Sequence, residues 1–252
     1  VVGLLSRHLN DSSDTGPRPG APLLTAAPGP LPFLYRDESL VIVNKPSGLS
    51  AHRGMASAGG DYVMTRVRDQ LGTHVYLVHR LDRATSGAMA LVTDARLVAP
   101  LQKAFEAGAV DKRYVALTRG KLPQPSLCVD YPIPRAEDSD ERVDARTELT
   151  ELCVMANRYA LVEARPLTGR FHQIRRHLSH LRRPVLGDTT YGDRKENKRF
   201  RADYGLFRLA LHARSLSLPH PVSGEQICVH APLPDDLRGP LVRMGLMPRL
   251  ER

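Results

Sequence analysis

From Leu40 onward, apolar residues come in short runs, and nearly every run is closed by a turn-forming residue. Leu40-Val-Ile-Val-Asn-Lys45 is one such run; it stops at Pro46-Ser-Gly48, which predicts a strand followed by a turn. Asp61 is placed to cap a helix whose Met64, Val67 and Leu71 share a face and whose stop is Gly72. Strands are predicted over residues 75–78 and 88–92, on either side of a polar segment. Asp94 opens a helical stretch reaching Ala107, with Leu97, Leu101, Ala104 and Phe105 inward and Gly108 as the stop. Pro100 conflicts with an unbroken helix there and predicts a kink or a later start. Further strands are expected over residues 112–118, 149–154, 159–163, 209–218 and 226–230. Phe171, Ile174, Leu178 and Leu181 form an apolar stripe that predicts a helix over 171–181. The pattern is that of an α+β domain built around a largely antiparallel sheet.

The start of the chain reads differently. Asp11-Ser-Ser-Asp-Thr-Gly-Pro-Arg-Pro-Gly-Ala-Pro22 and Ala27-Pro-Gly-Pro-Leu-Pro32 lack periodicity and are broken by Pro and Gly. They predict a flexible extension over residues 1–32, leaving 33–252 as one folded domain.

Composition narrows the class. Hydrophobic residues make up 42% and charged residues 25% of the 252, the mix of a soluble globular protein. No apolar run approaches the ~18 residues a membrane span needs, and residues 1–10 show no export signal. Cys128, Cys153 and Cys228 are odd in number, far apart and without C-x-x-C spacing. They argue against a zinc site or a disulfide framework and for a reducing, cytoplasmic compartment. Lys and Arg total 36 against 27 acidic residues, a net charge of +9. That excess fits a polyanionic partner, since each cation placed near a phosphate releases condensed counterions. The cations are densest over residues 170–183 and 194–201.

Three segments carry candidate chemistry. In His79-Arg-Leu-Asp-Arg-Ala-Thr-Ser-Gly87 the carboxylate of Asp82 has cations on both sides in sequence. A carboxylate in such surroundings stays ionised and can act as a nucleophile. From spacing alone a salt-bridged loop is the commoner outcome, by roughly ten to one. In Thr168-Gly-Arg-Phe-His-Gln-Ile-Arg-Arg-His-Leu-Ser-His180, Arg175 falls on or beside the buried stripe and needs a carboxylate partner, for which Asp82 is the obvious candidate. His172, His177 and His180 lack the neighbouring carboxylate of a metalloprotease-type site, so helix-surface or RNA-facing histidines fit better than a metal site. In Asp111-Lys-Arg-Tyr-Val-Ala-Leu117, Lys112 and Tyr114 share a strand face, a cation beside a stacking surface. A core tyrosine with a satisfied hydroxyl is the commoner outcome there by roughly two to one.

Taken together and in this order, the segments resemble the RluA-type family of pseudouridine synthases. The resemblance rests on Val43-Asn-Lys-Pro-Ser-Gly-Leu49, His79 to Gly87, Lys112-Arg-Tyr114, Thr168 to Leu178, Pro184-Val-Leu-Gly-Asp188, and Leu211-His-Ala213 with His220-Pro221. It implies a pseudouridine-synthase-like fold, a mixed, mostly antiparallel central sheet flanked by helices and loops. It also implies roles. Asp82 matches the catalytic aspartate, Tyr114 the tyrosine that stacks on the flipped base and helps remove its C5 proton, and Arg175 the basic partner of the carboxylate. Arg80 matches an arginine that helps displace the base, and Arg83, Lys112, Arg170, His172 and Arg176 are the remaining expected RNA contacts. No cofactor and no metal are implied; the partner is RNA and the enzyme a monomer. Val67-Arg-Asp-Gln-Leu-Gly72, Arg83, Gly187-Asp-Thr-Thr-Tyr-Gly-Asp193 and Asn197 resemble more closely a member acting on uridine 65 in the T-stem of certain tRNAs. A synthase acting on large-subunit rRNA and a non-catalytic RNA-binding protein are the competing expectations. A basic hydrolase would need metal ligands or a second positioned carboxylate. The sequence departs from the family pattern at Ala51, where a larger hydrophobic residue usually precedes the histidine. The S4-type RNA-binding module of several rRNA synthases has no counterpart in these residues, so specificity is expected from the catalytic domain and its basic loops.

Overall fold

The computed structural model describes residues 28–52, 60–137 and 139–246. Of the extension expected over 1–32, residues 1–27 lie outside the described residues. Leu31 is buried, and its backbone exchanges hydrogen bonds with the Gln70 side chain at 2.7 and 3.0 Å.

Eight strands hydrogen-bond in one path: β1 (Phe33–Arg36), β2 (Leu40–Lys45), β4 (Ser86–Val92), β11 (Leu211–Pro219), β5 (Asp111–Arg119), β10 (Tyr159–Pro166), β9 (Arg146–Met155) and β6 (Ser126–Asp130). β3 (Tyr76–Leu77) adds to β4, and β12 (Gln226–His230) adds to β11. A separate hairpin pairs β7 (Ile133–Pro134) with β8 (Arg142–Val143). The fold is the expected α+β arrangement, and only β4 and β11 run parallel. β4 is buried at every position and β2 at all but one, which is why both read as continuous apolar runs. β9 has one wetted face: Thr147, Leu149 and Cys153 are buried, while Arg146, Glu148 and Thr150 are exposed.

β11 comes from late in the chain yet sits at the centre of the sheet. It touches β4 at two pairs alone, His212 with Ser86 and Ala213 with Gly87. A bulge between Ala213 and Ser215 then turns it away, and β12 takes the place of β4. Gly87 makes the close approach possible. Its φ is +116°, and a Cβ there would lie 2.2 Å from the Ala213 carbonyl oxygen. Gly87→Ala is therefore expected to push the two strands apart at a cost of about 3 kcal/mol. The thermal midpoint should drop by about 6–12 °C, and an unchanged midpoint would count against this junction as the sheet's tight point.

The helices correct several expectations. α1 (Val63–Leu71) is capped by Tyr62, not Asp61. Asp61 instead grips Arg66 through two hydrogen bonds of 2.7 and 2.6 Å, which takes its carboxylate off the helix end. Asp94 caps a single 3₁₀ turn over Ala95–Leu97, and α2 (Val98–Glu106) starts late enough for Pro100 to fall in its first turn, where no N–H is missed. α3 (Gln173–His180) begins two residues after Phe171, because His172 takes a left-handed conformation at φ 53°. Two helices were not expected. α4 (Arg194–Tyr204) buries only Glu196 and Phe200, too few apolar positions for a visible stripe, although Asp193 caps it and Gly205 ends it. α5 (Asp235–Arg243) contains Gly239-Pro240, a helix-breaking signal, yet packs Leu237, Pro240 and Leu241 inward.

Candidate active site

Asp82 stands on the connection between β3 and β4, and the Pro46-Ser-Gly48 turn bolts that connection in place. The Gly48 N–H donates to the Arg83 carbonyl at 2.8 Å and the Arg83 Nε returns a bond to the Gly48 carbonyl at 2.9 Å. The Ser47 hydroxyl donates to the Ala84 carbonyl at 2.8 Å. Beneath them Lys45 is fully buried and donates its Nζ to the carbonyls of Pro46, Leu49 and Arg83 at 2.9, 2.8 and 3.2 Å. Burial pulls its pKa down to about 7, Arg208 and Arg83 push the same way, and the charge of Asp82 opposes them. The Thr85 N–H closes the turn on the Asp82 carbonyl at 3.0 Å, leaving the Asp82 carboxylate a quarter exposed.

The first turn of α3 supplies the facing groups. Arg175 Nη1 lies 3.3 Å from Asp82 Oδ2, the pairing expected of it. Its stronger partner, however, is Asp188, which receives Nε at 2.7 Å and Nη2 at 2.9 Å in a two-pronged ion pair. The Asp188 carboxylate also accepts from the Thr190 and Tyr191 N–H groups at 2.9 and 3.0 Å. Burial alone would raise the Asp188 pKa, but the Arg175 guanidinium and those two N–H groups outweigh it, so the net shift is downward. Arg175 is thus held from behind, with one nitrogen left for Asp82. His172 Nε2 stands 3.6 Å from the same Asp82 oxygen. Burial holds its pKa below the usual histidine value, Arg175 and Arg176 add to that, and Asp82 works against it. A neutral His172 carrying its proton on Nε2 leaves Nδ1 to accept from the Tyr191 hydroxyl, 3.1 Å away.

Tyr114, half-buried in β5, faces the same space. Burial and the nearby Asp82 charge push its phenol pKa up, so it stays protonated. The space is a cleft of about 700 Å³ whose lining includes Arg80, Asp82, Lys112, Tyr114, Arg170, His172 and Arg175. Thr85 and Leu211 line it too, which places the β4–β11 junction in its wall. Arg83 and Arg176 are not brought into the cleft. Arg83 is spent on Gly48, while Arg176 bonds the Tyr191 hydroxyl and the carbonyls of Pro134 and Ala136 at 2.8, 2.6 and 3.1 Å. His177 is also internal, bonded to Thr147 and to the Tyr131 carbonyl. Ser86 and His212 are 2.8 Å apart and look like a hydrolase pair. Both are completely buried, and Arg208 donates to the Ser86 hydroxyl at 2.7 Å, so the pair braces the sheet instead. Among the described residues no group of three or more His, Cys, Asp or Glu is arranged to hold a metal ion.

A family model described as RNA pseudouridylate synthase matches residues 39–180, more than half of the chain and the stretch holding Asp82, Tyr114 and Arg175. The chain belongs to this family. Its RluA-type motifs agree with that membership. The tRNA pseudouridine synthase C of Vibrio parahaemolyticus is 35% identical over 229 residues, covering 83% of this chain and 93% of that protein. The protein of that name from Salmonella typhimurium is 37% identical over 245 residues, 88% of this chain and 94% of its own. Among solved structures, human RNA pseudouridylate synthase domain containing 4 superposes with a TM-score of 0.71 at 30% identity, over 84% of this chain and 92% of that one. Within this synthase, sequence reasoning missed what Lys45, Asp188 and Tyr191 do. All three sit in family-like motifs, but Asp188 and Tyr191 meet their side-chain partners 13 to 19 residues away and Lys45 spends its charge on backbone carbonyls, so only the signal of an unexplained polar residue in an apolar setting was available, and for Lys45 alone.

Proposed function

We propose that the protein converts a uridine of tRNA to pseudouridine, the expected position being uridine 65, with Asp82 as the catalytic carboxylate. The observation that carries this reading is the meeting of Asp82 with Arg175 in a cleft that also holds Tyr114. A carboxylate oxygen of Asp82 bonds to the nucleotide and the N1–C1′ bond opens. The uracil then turns, C5 bonds to C1′, and Asp82 is released. The C5 proton leaves and N1 takes one up, so the reaction balances without an added reagent. Arg175, fixed by Asp188, orients the Asp82 oxygen, and His172 supports it from the side. Tyr114 stacks on the displaced uracil and its hydroxyl assists loss of the C5 proton. Extracting the base from a helix costs a few kcal/mol, which Arg80 at the cleft entrance and the phosphate contacts of Arg170 and Lys112 offset. The expected state is a monomer, and a tRNA substrate supports a cytoplasmic site of action.

The decisive experiment incubates the protein with unmodified tRNA and with rRNA and maps pseudouridine by chemical derivatisation and primer extension. A T-stem signal in tRNA is the expected result. A signal in rRNA alone would refute the tRNA assignment, and no signal in either would refute the reaction. For Tyr114→Phe, turnover is expected to fall about 100-fold with RNA affinity changed less than about twofold, since the stacking face is kept. Lost binding would instead make Tyr114 a packing residue.

A further inference from the structure

The cation-dense run over residues 194–201 contributes nothing to the cleft lining. The helix α4, which carries it, meets two strand ends near its N-terminus. Asp193, the cap of α4, pairs with Arg119 at the end of β5 at 2.8 Å. Arg158, at the tip of the β9–β10 hairpin, reaches Glu196 at 3.7 Å, and its carbonyl accepts from the Gly120 N–H at 2.5 Å. Arg183 lies across the same turn and donates Nε to the Lys121 carbonyl at 2.5 Å. A Cβ on Gly120 would stand 2.7 Å from Arg183 Cδ, so the glycine leaves room for that side chain.

These contacts gather Arg119, Lys121, Arg158, Arg183, Arg194 and Lys195 on one edge, and all but Arg183 are exposed. The carboxylates among them are already engaged. Asp193 serves Arg119 and the helix end, Glu196 is buried against the Tyr159 hydroxyl, and Glu151 accepts from the Leu122 N–H. Lys121 and Arg194 form no ion pair among the described residues, and Lys195 lies near enough to Asp193 to feel its charge without forming one. The edge is also continuous with the site. Tyr191 touches His172 at the cleft rim, and two residues later Asp193 pairs with Arg119. Along β5 the step from Tyr114 to Arg119 spans about 17 Å, beyond the reach of the nucleotide held in the cleft.

We propose that this edge is a second phosphate-binding surface, which holds the backbone of the same RNA away from the target nucleotide. The proposal rests on the RNA-modifying reading above. Exposed cations without an apolar or aromatic patch suit backbone contacts, which position an RNA without reading its sequence. The test is the double variant Lys121→Glu/Arg194→Glu of the full chain, at two exposed positions whose side chains hold no ion pair. Its thermal midpoint should match the parent's. In filter binding with full-length tRNA, the slope of log affinity against log salt should flatten by about 1.5, as two lost phosphate contacts require. Affinity at moderate salt should fall about tenfold. A stem-loop carrying only the target arm should bind parent and variant alike. Unchanged tRNA binding, or an equal loss on the stem-loop, would overturn the proposal. The readout is binding, so a failure of the isomerisation reading would show separately, as an absence of pseudouridine in the parent's reactions.

Discussion

Asp82→Asn should lower pseudouridine formation by about 10³-fold or more, a barrier increase of at least about 4 kcal/mol, while RNA affinity stays within about threefold. The amide keeps the size of the side chain and can still meet Arg175 with its oxygen, but it lacks a nucleophilic anion. The fold should not suffer, because the Asp82 carboxylate is a quarter exposed and the hydrogen bond closing its turn is made by its backbone. Single-turnover assays on tRNA, with the thermal midpoint as a control, separate these effects. Full activity in the variant would remove Asp82 from the reaction and leave it as one more loop carboxylate.

The second large effect belongs to a residue outside the cleft lining. Asp188→Asn should cost about 3–5 kcal/mol of stability, because it leaves the buried Arg175 guanidinium without its principal counter-charge. For a chain of this size that is a drop of about 6–20 °C in the thermal midpoint. The asparagine oxygen can still accept from the Thr190 and Tyr191 N–H groups, so the loss reports on charge rather than on the loop. Turnover should fall as well, since freeing Arg175 by about an ångström is enough to cost 10²-fold. The pH dependence has a definite sign. The folded-state pKa of Asp188 lies below the ordinary carboxylate value, so its contribution is complete above about pH 4. It is lost as the pH falls through the folded-state pKa, and the variant should lack that part of the acid limb. Equal midpoints and equal turnover would mean that Asp82 alone positions Arg175.

Much of this was legible in the chain. The runs that became β2 and β4 are apolar because both faces are covered, and the stripe of Ile174 and Leu178 marked α3. Lys112, Tyr114, Arg175 and Asp82 converge on one cleft as their motifs implied. What was not legible depends on contacts distant in sequence. Nothing near Arg175 in sequence reveals that Asp188 holds it more tightly than Asp82 does. Arg176 sits in the same motif and looks no less available for RNA, yet its donors are consumed by carbonyls of Pro134 and Ala136, some forty residues earlier. α4 escaped because a helix held by Glu196 and Phe200 alone has almost no apolar period to detect.

The position of β11 bears on how the enzyme comes into being. Before residues 211–219 leave the ribosome, β2 and β4 on one side and β5, β10 and β9 on the other have no strand between them. Pairings of such large sequence separation close late and slowly. The wall that sets Asp82 opposite Arg175 and Tyr114 is completed by a strand synthesised after the other seven of its path. Until then a nascent chain carries Asp82, Tyr114 and Arg175, the groups proposed to act in catalysis, without the geometry to use them.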